Sequence, residues 1–163
     1  MNRLLRHLLF PDWLTRRRFS GRVLERIEAA VAASERGHSA ELRFAVEGAL
    51  HPSQLMAGMT GRERALEVFS HLRIWDTAAN NGVLITLLLA DRDVEIVADR
   101  GLNGLVQPAE WEAISREMEA CFQRGEFEAG ALLGIERVDG LLRRHFPGTG
   151  ENPNELPDAP RVL

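Results

Sequence analysis

The run Val83-Leu-Ile-Thr-Leu-Leu-Leu-Ala90 constrains this chain more than any other segment. It is apolar on both faces, so as a strand it belongs in the middle of a sheet covered from both sides. Asn80-Asn81-Gly82 leads into it as a turn signal, and Asp91-Arg92-Asp93 breaks it. Val94-Glu-Ile-Val-Ala98 then resumes with alternation, which predicts an antiparallel hairpin ending near Gly101 and Gly104.

The flanking segments say what covers such a sheet. Leu24, Ile27 and Val31 share one face of a helix predicted over Gly21 to Arg36, with Gly37 as its stop. Glu41 to Glu47 alternates: Leu42, Phe44 and Val46 point one way, and Glu41, Arg43 and Glu47 the other. Thr60-Gly-Arg-Glu63 reads as a capping box that opens a second helix with Leu66, Phe69 and Leu72 on its apolar side. Pro108 opens a third helix, whose inward face is Trp111, Ile114, Met118, Cys121 and Phe122. After Gly125 a fourth carries Leu132, Ile135, Val138 and Leu142 and ends near Phe146-Pro147. The expected architecture is α/β, in the order α-β-α-β-β-α-α. Its small mixed sheet combines one parallel crossover with the antiparallel hairpin, covered by helices. Three regions follow: a basic arm over 1–20, an α/β domain over 21–147, and a Pro-rich tail over 148–163. The tail's composition predicts disorder, and an open edge is expected at the first or the third strand.

Charge is unevenly spread. Residues 1–26 carry seven Arg against Asp12 and Glu25, whereas the rest of the chain is acidic. All 20 basic residues are Arg. Without Lys there can be no Lys Schiff base, Lys general base or P-loop Lys. Cys121 stands alone, which excludes an internal disulfide and a cysteine zinc site. No Ser-centred nucleophile elbow or Gly-rich dinucleotide loop is found. The apolar piece after Arg3 and Arg6 stops at Pro11-Asp12, too short for a secretory signal, so a cytoplasmic location is expected. In the arm, Leu4, Leu5, Leu8 and Leu9 recur at helical spacing among Arg3 and Arg6, and Arg16-Arg17-Arg18 follows. Either the arm packs on the body or it contacts an anionic membrane surface or an acidic partner. Nucleic acid is not an expected partner, because the acidic body would repel phosphate and no base-stacking aromatic pattern is present.

The composite Asn80-Asn81-Gly82-Val83-Leu84-Ile85, Ala90-Asp91-Arg92 and Gly101-Leu102, with Phe122-Gln-Arg-Gly125-Glu-Phe127-Glu-Ala-Gly130, resembles the TPM domain. That family is named for thylakoid-lumen, photosystem-repair and MOLO members. The resemblance runs from Leu24 to Phe146. It implies a covered mixed sheet. It also implies a family in which some members are described as acid phosphatases, some bind calcium and many act at membranes. This chain departs from the family pattern at Asn103 and near Gln107, where carboxylates are expected, and at Trp75, where Gly is usual.

Hard cations want carboxylate and amide oxygens. The parallel crossover brings Glu47 and Asp91 to one carboxyl end of the sheet, with Asp93 nearby, the edge where open α/β sheets bind ligands. At the other end the hairpin would bring Asp99 near Asn81, with Asp76 on the incoming loop. Either set could hold Ca²⁺ or Mg²⁺, and the same residue types also serve as plain turn formers. Asp91-Arg92-Asp93 imitates an Asp-x-Asp phosphatase nucleophile, but that chemistry wants a partner cation, usually Lys, and a following crossover helix. Glu35-x-x-His38-x-x-Glu41 reads as a solvated turn, Cys121 as core, and Trp75 as a core anchor. Function is therefore expected from protein contacts of a TPM-like module with a weak divalent-metal site. The alternatives are a metal-dependent phosphatase and membrane-surface binding through the arm.

Overall fold

The computed structural model describes residues 1–150 and 152–163. Two short helices open it, α1 (Arg3–Leu8) and α2 (Asp12–Arg18), followed by the long α3 (Gly21–Glu35). The sheet begins with β1 (Glu41–Glu47). Then come α4 (Pro52–Met56), α5 (Gly61–His71), and the hairpin of β2 (Gly82–Leu88) and β3 (Asp93–Ala98). A 3-10 turn (Arg100–Leu102) leads to α6 (Pro108–Gln123), α7 (Phe127–His145) and a terminal β4 (Arg161–Val162).

The sheet order is β3-β2-β1-β4. β1 runs parallel to β2, from Glu41 opposite Gly82 to Glu47 opposite Leu88, and β3 pairs antiparallel with β2. The apolar run sits at the centre, as its two-faced composition requires. Val83, Ile85 and Leu87 enter the large core with Leu42, Phe44 and Val46 of β1, Ile27 and Val31 of α3, and the apolar faces of α6 and α7. Leu84 and Val97 face the other way, into a smaller core with Ala65, Val68 and Phe69 of α5 and with Ile74. The capping box forms: Thr60 accepts from the Glu63 amide, and Glu63 accepts from the Thr60 amide at 2.8 Å.

Five expectations need correction. Leu66 is exposed, because α5 buries Ala65, Val68 and Phe69 instead. Trp75 is 48% exposed and Ile74 fills the core beside it. The Trp75 ring lies 5.6 Å from the Arg73 guanidinium. The edge of β1 is not open: β4 lies along it in parallel, with Arg161 opposite Ala45, and the Leu163 amide donates to the Val46 carbonyl. Nor are the described residues of the tail, 148–150 and 152–163, disordered. Its composition cannot order itself, but the body supplies anchors. Leu156 is buried in the small core, the Glu155 and Leu156 amides donate to the Glu41 carboxylate, and Asn152 Nδ2 donates to the His38 carbonyl at 2.9 Å.

That tail buries the expected solvated turn. Glu35, His38 and Glu41 are 8%, 0% and 0% exposed. Glu35 accepts from the Leu42 amide at 2.8 Å. Burial first, and negative neighbours second, push its carboxyl up to about 8. Burial likewise raises Glu41 and lowers His38.

Candidate functional site

The carboxyl end of the sheet and the N-terminal arm, two separate candidates in the sequence, meet. Asp91 lies on the hairpin turn, beside Arg92 in the left-handed region at φ 54°. Arg3 Nε donates to Asp91 Oδ2 at 2.9 Å, and Arg6 donates to Oδ1 at 2.5 Å. His7 Nε2 stands 3.0 Å from the same Oδ1. The Leu50 amide donates to His7 Nδ1, so the neutral ring carries its proton on Nε2, facing the carboxylate. Arg3 also donates to the Met59 carbonyl at 2.8 Å. Burial opposes ionisation of Asp91, but the hydrogen bonds from Arg3, His7 and Arg6 outweigh it and hold the carboxyl below its ordinary value.

Glu47 is similarly engaged. Arg64 of α5 makes a two-pronged contact with it, Nε to Oε2 at 2.8 Å and Nη2 to Oε1 at 3.0 Å. The Asp93 carboxyl has no hydrogen bond or ion pair among the described residues. Burial, and then the neighbouring Asp91, raise its carboxyl. Glu47, Asp91 and Asp93 thus do gather at one end of the sheet, but the first two already share their oxygens with arginine. A divalent cation there would have to displace Arg3 and Arg6 from Asp91 and Arg64 from Glu47. Among the described residues no three His, Cys, Asp or Glu side chains are placed to hold a metal ion together.

The second oxygen set does not assemble. Asp76 is exposed and pairs with Arg73 at 2.8 Å. Asn81 is fully buried and donates from Nδ2 to the Ser39 carbonyl at 3.1 Å. Asp99 caps the 3-10 turn through the Arg100 amide at 2.7 Å. The register places Asn81 with Val83 on the large-core face and Asp99 with Val97 on the other, so the two side chains diverge. The Asn80-Asn81-Gly82 loop is built for shape. Asn80 adopts φ 50° and accepts from Arg100 at 3.0 Å, and any Cβ on Gly82 would run into the Ile74 carbonyl oxygen.

The clamp on Asp91 decides how the arm presents itself. Residues 3, 6 and 7 face inward at helical spacing, so α1 turns its basic side toward the body. Its apolar side faces out: Leu4, Leu5, Leu8 and Leu9 are 40%, 49%, 51% and 68% exposed. Trp13 of α2 is 58% exposed, with Arg16 and Arg17 exposed on the same helix. Arg18 differs: its guanidinium stacks 4.4 Å from the Phe127 ring. Thr15 and Phe10 seat against Gly48, where a Cβ would come 2.6 Å from Thr15 Oγ1. The sequence reading missed His7 and Arg64. The signal for His7 was present, since Arg3, Arg6 and His7 share a face as regularly as the leucines do.

A family model for the TPM domain matches residues 17–141. The chain belongs to the TPM domain family. The TPM match begins within α2 and so leaves α1 outside it. The solution structure of the BA42 protein from the psychrophilic bacterium Bizionia argentinensis is similar. It is 26% identical, with a TM-score of 0.78, over 88% of this chain and 94% of that one. The N-terminal domain of a protein from P. gingivalis shares the fold at 20% identity and a TM-score of 0.62, over 79% of this chain and 81% of that one. No curated protein matches the chain. Among the described residues no helix is long and apolar enough to cross a membrane.

Proposed function

We propose that this TPM-domain chain is a docking module whose N-terminal helical pair seats on an anionic membrane surface. The observation behind this reading is the reversed polarity of α1. Arg3, Arg6 and His7 are spent on Asp91, and four leucines are left facing water. An apolar ridge with an exposed Trp13 and the flanking Arg16 and Arg17 has the makeup of an interfacial anchor. Each arginine near an anionic leaflet is worth about 1 kcal/mol, and each leucine taken fully out of water adds about 1.5–3 kcal/mol. Shallow seating gives a fraction of that sum, so attachment is reversible and depends on both lipid charge and salt. The rival reading, a divalent-metal phosphatase on Glu47, Asp91 and Asp93, draws no support from Glu47 and Asp91, which are already paired with arginine.

Co-sedimentation with vesicles tests the proposal. Binding to vesicles containing phosphatidylserine should exceed binding to pure phosphatidylcholine, and the double substitution Leu8→Glu with Leu9→Glu should weaken it by at least about tenfold. Vesicle binding unchanged by that pair, or no binding at any phosphatidylserine content, would sink the proposal. The second result would leave the ridge to a protein partner.

A further inference from the structure

The edge of β3 carries a second, unrelated feature. The Asp99 amide donates to the Gly82 carbonyl, so this pair is a bonded one. By alternation Val97, Glu95 and Asp93 then bond to β2, and Val94, Ile96 and Ala98 aim their main-chain groups away from the sheet. Side chains meet two of those outward groups. The Val94 amide donates to Glu119 Oε1 at 3.2 Å, and Arg62 donates to the Ile96 carbonyl at 2.7 Å. A carboxylate and a guanidinium thus stand where the carbonyl and amide of a neighbouring strand would stand. The Ile96 and Ala98 amides have no partner among the described residues.

A groove of about 800 Å³ runs along this edge, between the hairpin and α6. Ile96, Leu102, Val106 and Trp111 give it an apolar floor. Its rim is acidic: Asp93, Glu95, Glu112 and Glu119 against Arg62 and Arg116. Burial first, and acidic neighbours second, hold the Asp93 and Glu95 carboxyls above their ordinary range, and burial does the same at Glu119. Carboxylates in that condition gain from an added cation.

We propose that the open edge of β3 receives an extended basic peptide segment, which adds to the sheet as a further strand. Its main chain would meet the Ile96 and Ala98 amides, apolar residues on one side would reach the floor, and Arg or Lys on the alternate side would answer the acidic rim. Charge argues against a second copy as occupant, because edge-to-edge pairing would set one acidic row against another.

A displayed library of random peptides of about a dozen residues, selected on the full chain, tests this. Enriched sequences should alternate β-branched residues with Arg or Lys. The enriched peptide should slow hydrogen exchange at the Ile96 and Ala98 amides by at least about tenfold. Reversing one exposed rim charge, Glu112→Arg, should weaken it by about tenfold while leaving the melting temperature in place. Methylating the peptide's alternate amides on the edge-facing side should abolish binding. The proposal is overturned if nothing enriches above a blank surface, or if the enriched peptides are acidic. It is also overturned if the bound peptide leaves those two amides unchanged, or if they become protected through self-association without peptide.

Discussion

Replacing Glu35 with glutamine should flatten a decline in stability that is expected of the native protein as pH rises from about 5 to about 8. Glu35 ends α3, where the helix dipole also disfavours a negative charge. It is 8% exposed beneath the tail, accepts from the Leu42 amide and shares a hydrogen bond with the Asp158 carboxyl. Its carboxyl stands near 8 in the fold against 4.5 when unfolded, so over that interval the native state holds the extra proton. The stability this confers is complete below the unfolded value and is lost as pH climbs through the native one. The slope cannot exceed about 1.4 kcal/mol per pH unit, which sets a ceiling of about 5 kcal/mol. The realised loss should be smaller, because the tail can lift and let water reach the carboxylate. Lifting it gives up a few net hydrogen bonds at about 1 kcal/mol each and the burial of Leu156 at about 2 kcal/mol, but the released tail regains chain freedom that offsets part of this sum, so the drop should level off near 2–3 kcal/mol. Urea unfolding at acid, neutral and mildly alkaline pH measures this. Glutamine keeps the acceptor for Leu42, offers an amide to Asp158 and has no proton to lose. The variant should match the native protein near pH 5 and exceed it by about 2 kcal/mol near pH 8. Glu41 adds to the slope and, because it and Glu35 repel one another, loses part of its own upward shift once the Glu35 charge is gone, which enlarges the difference. His38, buried neutral, opposes the slope as pH falls and is common to the two proteins. A native curve without slope, or a variant that falls as steeply, would refute the reasoning.

Two further substitutions probe the frame and the clamp. Gly82→Ala should cost about 1–3 kcal/mol in urea unfolding, because the added methyl meets the main-chain carbonyl of Ile74 and neither β2 nor the buried turn that carries Ile74 can retreat. Asp91→Asn keeps the shape but removes the charge that Arg3 and Arg6 share, so it should loosen the arm by about 1–2 kcal/mol. The reporter is hydrogen exchange at the Leu50 amide, which donates to His7. It should speed up, while exchange at the central β2 amides stays as it was.

Local and periodic signals carried the framework. The two-faced apolar run became the middle of the sheet, the alternating segments became its neighbours, and the Thr60 capping box formed where its spacing placed it. The shared sheet end of Glu47, Asp91 and Asp93 followed from the parallel crossover alone. What sequence could not show was decided between residues far apart in the chain. The arm has two helical faces of equal regularity, and only the position of Asp91, 85 residues from Arg6, decides that the basic one turns inward. Neighbouring hydrophobes compete in the same way. Ile74 took the core site that Trp75 could have filled, since a smaller branched side chain fits beside Gly82 and Leu84. The tail reads as disordered because its own residues cannot order it. Its order is borrowed from the Glu41 carboxylate and the free edge of β1.

Asp91 turns the basic face of α1 inward, and on the proposed function this leaves the leucines and Trp13 to meet a membrane. The most direct measurement is Trp13 emission in a protein carrying Trp75→Phe and Trp111→Phe, titrated with phosphatidylserine vesicles that contain brominated lipid. A blue shift, quenching by shallow bromines, and loss of both in the Leu8→Glu, Leu9→Glu variant are expected. Emission that stays at its aqueous wavelength and is unquenched, at vesicle concentrations where the protein co-sediments, would contradict the proposed function.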